Sequence, residues 1–162
     1  MAGLFNYDDP SADVFTDQPP IFSDLTDAEW DVLLGRMERK LFPAGTHILR
    51  AGAKPRAVYL VVSGEVDVIM QGPKGPVRLL TVTEGSVFGE VGFFDGEPGS
   101  AEAIARGPVE VLCLCSERIR ELVCWHPGLA HKLVMGLGRV VSQRLRRLTK
   151  SWTMTQTARP CL

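Results

Sequence analysis

No apolar run in the 162 residues approaches the ~20 needed to span a bilayer. No basic stretch precedes an apolar one at the N-terminus, so neither a membrane span nor a secretory leader is expected. Histidine is scarce, and His47, His126 and His131 are dispersed along the chain. There is no G-x-S-x-G, no Walker loop and no Cys/His cluster at metal-binding spacing, so the reading is a non-enzyme with no catalytic residue and no metal site. Cysteine is limited to Cys113, Cys115, Cys124 and Cys161. The first two alternate in an apolar stretch and the third closes a short apolar helix, which reads as buried thiols in a reducing cytoplasm. Cys161 stands too close to the end of Pro160-Cys161-Leu162 for a prenylation box.

Charge of one sign is missing from each end. Met1 to Gly35 holds eight acidic residues and no basic one, and Leu122 to Leu162 holds seven basic residues and no acidic one. The net charge is only −1, so the near-match favours attraction between the two ends, of one chain or of two. The other reading of such asymmetry is a nucleic-acid or membrane surface. An apolar content of 45% with 23% charged residues is that of one soluble domain with a single core.

The pattern divides the chain into four parts. Residues 1–22 read as an acidic, flexible tail, because Asp8, Asp9, Pro10, Asp13, Asp17, Pro19 and Pro20 offer little to bury. Residues 23–125 read as a β-barrel preceded by a helix. Thr26-Asp27-Ala28-Glu29 is a capping box, and Leu25, Trp30, Leu33, Leu34 and Met37 form an apolar stripe at helical spacing. Short strands are predicted at 47–49, 57–62, 65–70, 77–82, 102–105 and 109–114. Turn residues separate them, with Gly45, Gly52, Gly64 and Gly85 where the chain must reverse. Strands this short, this evenly spaced, suggest a sandwich or jelly roll. Ser116 starts a short helix that ends near Trp125.

Residues 126–152 read as a long C-terminal helix, and 153–162 as a tail. Leu129, Leu133, Leu137, Val141, Leu145, Leu148 and Trp152 lie on one stripe, roughly 36 Å long at 1.5 Å per residue. Leu133, Leu137, Val141, Leu145 and Leu148 are the predicted seam of a homodimer; the alternative is that the stripe packs wholly on its own barrel. Gly136 and Gly138 each weaken the helix by about 1 kcal/mol against Ala, which predicts close approach of another helix as compensation.

This order of elements, with Phe88-Gly89-Glu90-Val91-Gly92-Phe93-Phe94 in the middle and Val58-Tyr59-Leu60-Val61-Val62-Ser63-Gly64-Glu65-Val66 as a glycine-bounded strand pair, resembles the cyclic-nucleotide-binding domain family. That family supplies the sensor module of catabolite-activator and FNR-type bacterial regulators, of protein kinase A regulatory subunits and of gated channels. The resemblance covers roughly 22–150 and implies a mainly β fold with flanking helices, a double-stranded β-helix or jelly-roll barrel followed by a long C-terminal helix. It implies a phosphate cassette formed by Phe88, Gly89, Glu90, Val91, Gly99, Ser100 and Ala101. Within it Glu90 would accept a hydrogen bond from a ribose hydroxyl and backbone amides would meet a cyclic phosphate. Ser151 and Trp152 fall where the last helix would close on the base of cAMP or cGMP.

The cassette departs from the family at one position. Pro98-Gly99-Ser100-Ala101 carries Gly99 where the family usually has arginine. Removing one partner of a desolvated charge pair costs about 2–5 kcal/mol, and each 1.4 kcal/mol is about tenfold in affinity. A cyclic nucleotide as cofactor therefore requires a second cation in the pocket, Arg78 and Arg106 being the proposals. The expected function is a stand-alone, cytoplasmic regulatory module that signals through its C-terminal helix, as a homodimer or to a protein partner. One alternative is a degenerate domain kept as a dimerisation scaffold. The other is non-specific nucleic-acid binding by Arg139, Arg144, Arg146, Arg147 and Lys150; specific DNA binding is not expected, since the dozen residues after Lys150 are too few for a helix-turn-helix.

Overall fold

The structure, a computed structural model, describes residues 21–157 apart from Pro55, with side chains to residue 150. The elements run α1 (Asp27–Leu34), β1 (Glu38–Phe42), β2 (His47–Leu49), β3 (Ala57–Ser63), β4 (Val66–Gly72), β5 (Gly75–Val82), β6 (Val87–Phe88), α2 (Glu90–Asp95), β7 (Ala101–Ala105), β8 (Val109–Cys115), α3 (Ser116–Trp125) and α4 (Pro127–Thr157). The strands form two four-stranded sheets, ordered β1-β8-β3-β6 and β2-β7-β4-β5, with every pairing antiparallel. This is the jelly roll with flanking helices that the strand spacing predicts. Among the described residues, no helix is long and apolar enough to cross a membrane.

In the first sheet the central strands β3 and β8 are covered on both faces, and the alternation of side chains separates two cores. From β3, β6 and β8, Val58, Leu60, Val87 and Leu114 point to the helices and pack with Leu33, Ile119, Leu122, Leu133 and Leu137. Their neighbours Val61, Phe88, Val109 and Val111 point into the barrel, where they meet Val66, Val82, Ala103 and Ala105 from the second sheet. This is why β3 reads as an unbroken apolar run rather than an alternating one.

α1 begins as the capping box requires. The Thr26 hydroxyl accepts from the Glu29 amide at 3.2 Å, and the Glu29 carboxylate accepts from the Thr26 amide at 2.8 Å. The segment ahead of it is not part of a tail: Ile21 and Phe22 are buried, 8% and 7% exposed, against α4. Phe22 stands edge-on to Trp30 with centroids 5.4 Å apart. A Cβ placed on Gly136 would stand only 2.6 Å from the Ile21 carbonyl oxygen. The close approach expected at Gly136 therefore exists, but its partner is the N-terminal strap and not a helix. Gly138 has nothing within 4 Å of such a Cβ.

Charge fastens the same strap. Lys132 Nζ donates to both oxygens of Glu29, at 2.8 and 2.9 Å, and to the Asp24 carbonyl at 3.0 Å. Arg139 donates to Asp24 Oδ2 at 3.1 Å. The hydrogen bond from Arg139 holds the Asp24 carboxyl below its ordinary range, and that from Lys132, with the Thr26 amide, does the same for Glu29. Opposite charges at the two ends of the chain thus meet within one molecule.

The stripe on α4 divides. Leu133 and Leu137, expected in a dimer seam, are 1% and 0% exposed in the chain's own core, because the N-terminal half of α4 roofs the first sheet. Val141 is half-buried, and Leu145 and Leu148 are exposed. Of the thiols, Cys113 is buried and Cys115 half-buried, whereas Cys124 is exposed because it faces away from the α3 side that carries Ile119 and Leu122. Cys161 lies outside the described residues.

Candidate functional site

A cavity of about 410 Å³ opens between the second sheet, α2 and the C-terminal half of α4, within the range of small-molecule sites. Phe88, Gly89, Glu90, Val91, Gly99, Ser100 and Ala101 all line it, so the fold brings the predicted cassette together. Leu49, Val68, Leu79, Leu80 and Leu148 supply apolar wall. The side chains of Ser151 and Trp152, the expected base contacts, lie outside the described residues.

The local backbone explains why the cassette has this composition. Gly89 adopts φ +83°, and a Cβ there would come 2.9 Å from the Ala57 carbonyl oxygen, so only glycine fits between β6 and α2. The chain before it is pinned by Phe88, which stacks on Tyr59 with centroids 4.9 Å apart and planes 10° from parallel. Burial, followed by the nearby Cys113, pushes the Tyr59 hydroxyl up to about 12. Directly after Gly89, Glu90 opens the six-residue α2 and is 2% exposed.

Glu90 is buried because it has a partner. Arg144 of α4 reaches across the cavity wall, its Nη1 donating to Glu90 Oε1 and its Nη2 to the Val87 carbonyl at 2.5 Å. The side chains are 11% and 3% exposed, so this pair is screened far less than the surface ion pairs. Neither of the proposed substitute cations takes this role. Arg106 is half-exposed and bonded to Glu65 at 2.9 Å, and Arg78 is not among the residues lining the cavity.

From the sequence, Arg144 is expected among the residues of a non-specific nucleic-acid surface. Its spacing carries the contrary signal: Leu137, Val140, Arg144 and Leu148 recur every three or four residues, which puts the arginine on the buried stripe. Of the basic residues assigned to nucleic acid, Arg144 is engaged on Glu90 and Arg139, at the surface, on Asp24.

At Gly99 the geometry leaves room that the sequence does not use. A Cβ there would meet only the Ala101 and Ala53 carbonyl oxygens, at 3.7 and 3.8 Å, both ordinary contacts. Both backbone groups of Gly99 are committed to the neighbouring loop, its amide to Ala53 O at 2.9 Å and its carbonyl to the Gly52 amide at 2.8 Å.

The site is thus a cavity in a jelly-roll barrel, lined by a buried glutamate and by the chain's own C-terminal helix. The chain belongs to the cyclic nucleotide-binding domain family, whose model matches residues 39–123. It is 35% identical over 121 residues to the cyclic AMP receptor protein of Thermus thermophilus, an alignment spanning 74% of this chain and 56% of that protein. It is 30% identical over 111 residues to the cAMP-dependent protein kinase regulatory subunit of Aspergillus niger, spanning 68% and 26%. The chain therefore spans about half or less of the length of these curated relatives. Among solved structures, the Thermus thermophilus catabolite activator protein superposes with a TM-score of 0.74 at 30% identity, over 85% of this chain and 63% of that one. A cyclic nucleotide-binding domain from Methylobacillus flagellatus superposes with a TM-score of 0.76 at 26% identity, over 87% and 78%.

Proposed function

We propose that this chain is a non-enzymatic regulatory module in which the occupant of the cavity sets the position of the C-terminal half of α4, and α4 passes the signal to a second copy of the chain or to a protein partner. The observation that carries this reading is the Arg144–Glu90 pair, with its companion bond to Val87. The glutamate that lines the ligand cavity is held by the helix that would report on it, so a hydroxyl arriving at Glu90 perturbs α4 through one shared carboxylate. Val141, Leu145 and Leu148 supply the output surface. They follow one another at four- and three-residue spacing, and Leu145 is 63% and Leu148 48% exposed, as a helix–helix seam requires. Relatives named as a receptor and as a kinase regulatory subunit fit such a role, and free thiols fit a cytoplasmic setting.

Hydrogen exchange with and without cAMP, cGMP and their parent nucleosides tests it. A bound ligand should change protection in α4 from Val141 onward. Protection changes confined to the strands around the cavity would refute the coupling. A second reading, a scaffold that has lost its ligand, is favoured by Gly99 alone. Under it the chain dimerises to the same extent with every nucleotide, and Leu145→Glu abolishes the dimer in a sedimentation experiment without altering the fold.

A further inference from the structure

We infer that the cavity takes an uncharged, hydroxyl-bearing ring compound of the nucleoside class in preference to a cyclic phosphate. The inference rests on the reading of this cavity as a regulatory ligand site and names what occupies it.

Among the described residues, the phosphate side of the cavity offers no cation that is not already paired with a carboxylate. Gly99 brings no side chain, and its amide is already bonded to the Ala53 carbonyl. α2 is only six residues long, and its first residue, Glu90, is itself a carboxylate. Among the described residues that line the cavity, Arg144 is the sole cation, and it is engaged by Glu90 and the Val87 carbonyl. Against it stand Glu90, Asp95, Glu97 and Glu102. A phosphate entering here meets a surplus of negative charge, without the desolvated guanidinium that would offset it.

The sugar side is intact. A carboxylate has about four lone-pair sites, and Arg144 approaches Glu90 through one oxygen, so the group can accept from a ligand hydroxyl while keeping its internal partner. Leu49, Val68, Leu80 and Leu148 give an apolar wall for a flat ring. These two requirements, a hydroxyl and a planar apolar face with no formal charge, describe a nucleoside.

The experiment is calorimetric titration of the full chain, and of Gly99→Arg, with adenosine, guanosine and inosine beside cAMP and cGMP, at low and high salt. The native chain should bind at least one nucleoside about tenfold or more tightly than its cyclic phosphate, with little salt dependence. Gly99→Arg should raise cyclic-nucleotide affinity by about 30-fold or more, the lower end for restoring a desolvated charge pair, and leave nucleoside affinity nearly unchanged. Tighter binding of a cyclic nucleotide by the native chain overturns the inference, and so does the absence of nucleoside binding. If Gly99→Arg fails to fold by circular dichroism, the native comparison alone decides. Nucleoside binding that leaves exchange in α4 unaltered would sink the proposed signalling and leave the ligand class standing.

Discussion

Arg144→Ala isolates a buried carboxylate. Glu90 is 2% exposed, and its counter-ion stands on a different element 54 residues later in the chain. Removing one member of a buried ion pair costs about 3–5 kcal/mol, because the survivor keeps its desolvation without its partner. Here the adjoining cavity of about 410 Å³ lets water reach Glu90, which places the expected loss near the lower end, about 3 kcal/mol. For a domain of this size each kcal/mol moves Tm by about 2–4 °C, so a fall of about 6–12 °C should follow. Glu90→Gln alone should cost less, since the side chain of Arg144 is 11% exposed and the guanidinium can turn to solvent. The double variant Glu90→Gln/Arg144→Met replaces the pair by neutral groups of similar volume and should recover most of the loss. Urea denaturation followed by tryptophan fluorescence measures the native chain and the three variants. A loss under about 1 kcal/mol in Arg144→Ala, the scale of an exposed pair, or a double variant no better than the single, would refute the account of this contact.

Gly136 and Gly138 offer the same substitution with opposite signs two residues apart. Gly136→Ala drives a Cβ into the Ile21 carbonyl and should destabilise by about 1–3 kcal/mol, whereas Gly138→Ala meets open space and should stabilise by up to about 1 kcal/mol; equal shifts in Tm would contradict the strap. The strap should also loosen in acid. Asp24 and Glu29 are held below their ordinary values of 3.8 and 4.5 by hydrogen bonds from Arg139 and Lys132, so their contribution is complete above those values and fades as pH falls through the folded-state ones. Trp30 fluorescence should report the release, and the Asp24→Asn/Glu29→Gln variant should lose that pH dependence; an unchanged profile would assign it elsewhere. In a Tyr7→Phe background the absorbance of tyrosinate should rise only as pH approaches about 12, where burial has pushed Tyr59, and a midpoint near 10 would mean that the stack on Phe88 is open.

Much of the fold was legible because its signals are local. The Thr26 capping box formed as written, and Gly45, Gly52, Gly64 and Gly85 all sit at positive φ between strands. Two strands were not read. β1 is Glu-Arg-Lys-Leu-Phe, mostly charged and half-exposed, and it exists because β8 offers it an edge to pair with; β6 is two residues long, too short for any periodicity. The cassette residues came from the resemblance, and the structure shows that they line one cavity. The cation of that cavity was not legible, because an arginine on a basic helix looks solvated until the barrel beneath it is known. Likewise Leu133 and Leu137 could not be divided from Leu145 and Leu148 by spacing, since one stripe serves the barrel over its first half and solvent over its second.

That division gives α4 the proportions of a lever. Its N-terminal half is bolted down by the core as far as Val140, 2% exposed, and by the strap as far as Arg139. Beyond that fulcrum the helix continues to Thr157. At 1.5 Å per residue Arg144 stands about 6 Å past Val140 and the last turn about 25 Å past it. Under the proposed coupling, a tilt that moves the guanidinium by the width of one displaced hydrogen bond would sweep the far end about four times as far, by the ratio of those two lengths.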